Sequence, residues 1–401
     1  MKRKQKNRRK QVKKRQNKIA AYENEEFKDI FKINQALSMK DYGLLREIGR
    51  QSGFVSDPVR RRVWPFLLHY SERKVKREGS LNIPHKDEEQ VKLDVTRSFN
   101  AYPKNVDDQE KEKLQGQLHR VIIHVLRSYP SLHYYQGFHD ICSVFLLLFG
   151  EKYACQLMER VALFYLRDAM FATLEPVMKQ LTMIDSLIRL EDNELYEFIM
   201  EAGVLPYYAL SWVITWYSHD LSDLEKITRL FDLILSSNPL MPVYVAAATV
   251  ISKRKQVLAL PCDTSTVHSF LTNLASDTDI DAVCEQAHVL EARYGVYELQ
   301  SLSTIPLDQF SVVNRFEQDY LSIDTLEKYS EKVSEVIRIT RQEKYDKPIE
   351  LAAIKPHEAT QSMLNKLLMH KEMYTVFTVG ASLSILAFWI ANSGLIREWM
   401  I

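Results

Sequence analysis

Between Lys111 and Tyr129 the apolar side chains fall at Leu114, Leu118, Val121, Ile122, Val125, Leu126 and Tyr129. Steps of three and four gather on one face of an α-helix and would scatter over both faces of a strand. Pro130 closes the pattern, because a proline ring disfavours the helical conformation of the residue before it. The same spacing returns at Leu224, Ile227, Leu230, Phe231, Ile234 and Leu235, and Asn238-Pro239 breaks it. Alternating β-branched runs are scarce, and eleven glycines are few for 401 residues. The chain therefore reads as all-α. With 46% hydrophobic residues it has material for a sizeable core. The unbroken apolar run Ile141–Phe149, ending at Gly150, suits a helix buried on every side. The twelve residues Leu240–Ile251, with Pro242 near their start, suit a second core helix too short to span a membrane.

Composition shifts at both ends. Residues 1–18 hold eleven Lys or Arg and no acid. With +1 for the whole chain and +11 in this tail, the rest carries −10. Such a block repels itself, so residues 1–20 are expected to form a basic, disordered tail. A solvated extension, a nuclear signal, a nucleic-acid arm and a contact for anionic lipid headgroups all fit its charge. Nucleic acid is the weakest partner, since the basic residues are confined to this block without interleaved aromatics. No apolar segment follows the charges, which excludes a signal peptide. At the other end, residues 373–396 are 24 in a row without a charge. At about 1.5 Å per residue a helix of that length covers roughly 36 Å, enough for a hydrocarbon core of about 30 Å. Tyr374, Trp389 and Trp399 suit its interfaces. A single C-terminal transmembrane helix serving as a tail anchor is the expectation, with everything upstream in the cytosol.

Between these ends, Tyr22–Gly53 reads as a helical lead-in with mixed charges. A well-patterned region opens at Asp57-Pro58, with Asp57 as the expected N-cap. Residues 71–89 read as a polar surface loop. From 276 to 370 the text is more charged and its period weaker, so a partly helical connector is expected there. Four cysteines, Cys142, Cys155, Cys262 and Cys284, lie far apart without zinc spacing and fit reduced thiols.

The stretch from His133 to Ile141, HYYQGFHDI, raises a chemical question. A metal site would need more ligands than His133 and His139, and Asp140 beside His139 points elsewhere on a helix. A nucleophile would need a base, and Cys142 sits in an apolar run where a thiol is inert. The remaining reading is a polar group, Gln136, held out to act on something else. Asp94, three residues before Arg97, is expected on the neighbouring turn of the same helix face and suits a brace for that guanidinium. Alone, the pair reads first as a surface ion pair worth little.

Three pieces then occur in order: Arg60-x-x-x-Trp64, Val91-x-x-Asp94-x-x-Arg97, and Tyr134-x-Gln136-Gly137. Together they resemble the signature of TBC-domain Rab GTPase-activating proteins, with Val91 where isoleucine is usual. Ala209–Trp216 and Arg229-Leu230-Phe231-Asp232 resemble later segments of the same family. Among its members the chain looks most like those anchored in the endoplasmic reticulum that act on Rabs of the early secretory pathway. The resemblance implies a helical TBC domain, placed at residues 21–275, and a cytosolic face on the endoplasmic reticulum or early Golgi. It implies a GTP-bound Rab as partner, Arg97 as catalytic arginine and Gln136 as catalytic glutamine. Asp94 would brace Arg97, Gly137 would admit close backbone approach, and Tyr134 would hold the loop. Arg60 and Trp64 would stabilise the domain. GTP and Mg²⁺ would be the Rab's, with no cofactor, metal or hydrolase activity of the chain's own. A non-catalytic Rab-binding tether on the membrane is the competing reading.

Overall fold

The computed structural model describes residues 28–341, except 72–76, 105 and 304. The basic tail at 1–20 and the apolar run at 373–396 lie outside the described residues. Helix follows helix throughout: α1 (28–39), α2 (Tyr42–Gln51), α3 (Asp57–Leu67), α4 (Glu88–Val95), α5 (Asp108–Ser128) and α6 (Phe138–Phe164). Next come α7 (Glu175–Glu191), α8 (Asn193–Glu201), α9 (Leu210–Thr215), α10 (Leu224–Leu235), α11 (Met241–Ser252) and α12 (Arg254–Val257). The last are α13 (Thr264–Thr272), α14 (Ile280–Arg293), α15 (Val296–Ser303), α16 (Val312–Phe316) and α17 (Leu326–Arg341). Among the described residues there is no β-strand, and the all-α expectation holds.

The predicted stripe on α5 is the buried one. Leu118, Val121, Ile122, Val125 and Leu126 are fully enclosed, and Tyr129 just past the helix end is too. Each such aliphatic side chain contributes about 1.5–3 kcal/mol on leaving water. The stripe lies along α6, which is also flanked by α3, α4 and α9. By length and apolarity α6 would cross a membrane, yet here protein surrounds Ile141, Cys142, Val144, Phe145 and Leu148. Gly150 kinks it at φ 72° and ψ 164°, a conformation essentially reserved for glycine. Helix α11 is enclosed from Met241 to Val250, packed by α7, α9 and α14.

Two expectations shift. The cap of α3 is Ser56, one residue earlier than expected, and Asp57 opens the first turn. Its carboxylate is drawn away by Arg60 at 3.1 Å. The segment read as a connector from 276 is helical as far as Arg341. Helix α14 buries Ile280, Val283, Cys284, Ala287 and Leu290 against α11, α10 and α2. Its apolar positions are shorter and more widely interrupted than those of α5, which is why its period reads weakly. Tyr320, beyond α16, reaches back to donate to the Leu67 carbonyl at 2.9 Å. Residues 342–370 lie outside the described ones.

Candidate active site

Helix α4 is short and opens on Glu88 and Glu89, acids that suit the positive end of a helix. Arg127 grips Glu88 with two bonds, at 2.7 and 2.8 Å, and ties the start of α4 to the end of α5. Val91, Asp94 and Val95 turn inward. The helix stops at Val95, so Arg97 stands just beyond its end rather than on it. There its Nε donates to the Leu93 carbonyl at 3.3 Å, an acceptor of the last turn that also takes the Thr96 hydroxyl at 2.8 Å. Its Nη2 pairs with Asp94. The expected brace is therefore present, set by a helix terminus.

Asp94 is wholly buried. Besides Arg97 it accepts from Gln90 at 3.3 Å and from the Tyr134 hydroxyl at 2.9 Å. Burial, and then the Asp94 charge, push the Tyr134 phenol well above its ordinary value, so it remains a donor. Tyr134 is fixed at its backbone too, where its N–H donates to Asp87 at 2.9 Å. The neighbouring Tyr135 is buried and donates to the Ile214 carbonyl at 2.8 Å. Between these two anchored tyrosines and α6 stands Gln136, exposed to solvent. Gly137 follows as the cap of α6 at φ 112°. Arg97 and the Gln136 loop thus share one buried carboxylate.

The two histidines of the loop differ. His133 stacks no ligand set: its Nε2 lies 3.0 Å from Lys86 Nζ and its Nδ1 3.9 Å from Asp87. His139 is nearly buried, with Nδ1 3.0 Å from the Tyr134 hydroxyl. Among the described residues no group of three His, Cys, Asp or Glu could hold a metal. Burial pushes the Cys142 thiol well above its ordinary range, which leaves it unreactive. Asp140 turns to His219, whose Nδ1 lies 3.0 Å away, and this hydrogen bond draws the exposed imidazole up to about 9.

Arg60 and Trp64 belong to a different cluster. Asp232, wholly buried on α10, receives Arg60 at 2.9 Å, the Trp64 indole N–H at 2.7 Å and the Phe54 N–H at 2.9 Å. Burial pushes its carboxyl up against the pull of Arg60. Arg229, one turn earlier, donates to the carbonyls of Gly49, Arg50 and Gln51 at 3.0–3.4 Å, closing the end of α2. This frame joins α2, α3 and α10 and shares no hydrogen bond with Asp94. Sequence reasoning missed Asp232 as its centre, although it lies in a quoted segment, because a buried carboxylate looks like any other Asp in sequence. It weighed His139 only as a metal ligand.

A family model for the Rab-GTPase-TBC domain matches residues 57–259. The human protein TBC1 domain family member 20 is 36% identical over 277 residues, covering 68% of this chain and 69% of its own. The GTPase-activating protein gyp10 of Schizosaccharomyces pombe is 34% identical over 70% of this chain and 75% of its own. The solved Ypt/Rab-GAP domain of Gyp1p shares the fold, with a TM-score of 0.52 at 19% identity, over 65% of this chain and 99% of that one.

Proposed function

Because the chain belongs to the Rab-GTPase-TBC domain family, we propose that it is a GTPase-activating protein lending Arg97 and Gln136 to a Rab of the early secretory pathway. The observation that carries this reading is the shared Asp94, which receives both Arg97 and the tyrosine two residues before Gln136. A small GTPase already holds GTP and Mg²⁺ and lacks a positive charge on the transferring phosphate and a group to orient water. Arg97, braced from behind, brings a planar positive charge to meet the negative charge that grows in the transition state. Gln136 offers a donor and an acceptor on one amide, and neither changes protonation near pH 7. A carboxylate in its place would repel the phosphate. The chain needs no cofactor or metal of its own on this reading.

The 24 uncharged residues at 373–396 support a tail anchor that holds the helical domain on the cytosolic face of the endoplasmic reticulum or early Golgi. The basic residues of 1–18 suit anionic headgroups of the same membrane. The test uses the full chain in detergent micelles against a panel of GTP-loaded Rabs, following phosphate release. At least one early-secretory Rab should be accelerated by about 10³–10⁵. Binding to GTP-loaded Rabs with no acceleration across the panel would establish the tether instead.

A further inference from the structure

We propose that His139 is a positioning residue for Arg97 and Gln136, acting through the Tyr134 hydroxyl; this rests on the catalytic reading of that pair. The argument is a count of protons. The Tyr134 hydroxyl has one hydrogen and sits between two groups, Asp94 Oδ2 at 2.9 Å and His139 Nδ1 at 3.0 Å. Asp94 is paired with Arg97 and, as a carboxylate, can only accept. The hydroxyl hydrogen therefore belongs to Asp94, and the oxygen must accept from the imidazole. His139 accordingly carries hydrogen on Nδ1.

The ring is held so that it can do this. His139 lies in the first turn of α6 and is only 9% exposed. Its carbonyl takes the Ser143 hydroxyl at 2.8 Å, and its Nε2 edge faces Asp140 Oδ1 at 3.5 Å. A continuous chain results, from Arg97 through Asp94 and Tyr134 to His139. It crosses from the end of α4 to the start of α6 and passes the Gln136 loop on the way. Without the His139 donor the Tyr134 hydroxyl keeps only Asp94, and its position is no longer held from the α6 side. Asp94 then loses a fixed partner, and the guanidinium it aims loses its setting. Displacing a group that meets a transition state by an ångström can cost about 10²-fold in rate.

Variants of the full chain in micelles, assayed on the most responsive GTP-loaded Rab of the panel, decide the matter. His139→Leu and Tyr134→Phe should each lower kcat by about 10–100-fold while KM for the Rab stays within about twofold. The double variant should be no slower than the slower single one, because both remove the same link. His139→Asn, whose amide places a donor where Nδ1 stood, should recover turnover to within about threefold of wild type. His139→Gln places its donor at the far edge and should fall with the leucine variant. Wild-type turnover in His139→Leu, a loss confined to KM, or equal rates for Asn and Gln would each overturn the proposal. If His139→Leu fails to fold, the Asn and Gln variants make the same decision. A wild-type chain that accelerates no Rab removes the catalytic reading itself, a separate result.

Discussion

A Cβ built on residue 137 would lie 2.7 Å from Thr215 Cγ2, and the backbone there has φ 112°. Glycine is required at this position twice over, by space and by conformation. Gly137→Ala should cost about 1–3 kcal/mol, read as a lowered denaturant midpoint. It should also displace the Gln136 loop and so depress GTPase stimulation in the folded fraction. His219 gives a residue-scale pH prediction. Its folded value, about 9, exceeds the ordinary histidine value, so the ion pair with Asp140 stabilises the fold fully below about pH 6.5. That contribution fades as pH rises through 9. Since 60% of the His219 side chain is exposed, the gain should stay below about 1 kcal/mol. His219→Gln should flatten the stability profile between those limits in chemical unfolding at several pH values, and an unchanged slope would assign it elsewhere. In the sequence, Arg97 and Gln136 were legible only through the ordered family signature. Tyr134 and Asp94 could be named, but the bond between them spans 40 positions and no local pattern announces it.

At the level of elements, α2, α3 and α10 are joined through one carboxylate. Removing Asp232 leaves Arg60 buried without its main counter-charge and the Trp64 N–H without an acceptor. Asp232→Ala should therefore destabilise by about 3–5 kcal/mol. The loss should appear in equilibrium unfolding, while whatever fraction stays folded keeps a normal turnover per molecule. A turnover defect at full stability would instead place this cluster in the chemistry. The helices α5, α10 and α11 were readable because each carries a long, dense apolar period. Their ends were less so: α3 begins on the very residue expected to cap it, and α4 stops before Arg97. Helix ends depend on which tertiary partner takes the terminal carbonyls, such as Arg229 at α2, and that is not a property of the local sequence.

For the molecule as a whole, the family match ends at residue 259, but the packing does not. Helix α14 sits on α11 with five apolar side chains enclosed, and Tyr320 and Tyr329 are buried near the end of the described chain. A chain ending at residue 275 would expose the α11 surface that α14 covers. It should aggregate or lose its cooperative unfolding transition, whereas one ending at residue 349 should keep it, as thermal unfolding followed by circular dichroism would reveal. The weak period from 276 onward hid this, since short helices that each bury a few residues leave little repeat to read. The central claim is that two side chains of this chain complete another protein's active site. Single-turnover GTP hydrolysis by one responsive Rab tests it most directly, with the full chain as wild type, Arg97→Ala, Gln136→Ala and Arg97→Lys. Each variant should bind the GTP-loaded Rab yet lose nearly all of the roughly 10³–10⁵-fold stimulation, the lysine included because an ammonium lacks the planar fork. Stimulation at the wild-type rate by either alanine variant would contradict the account.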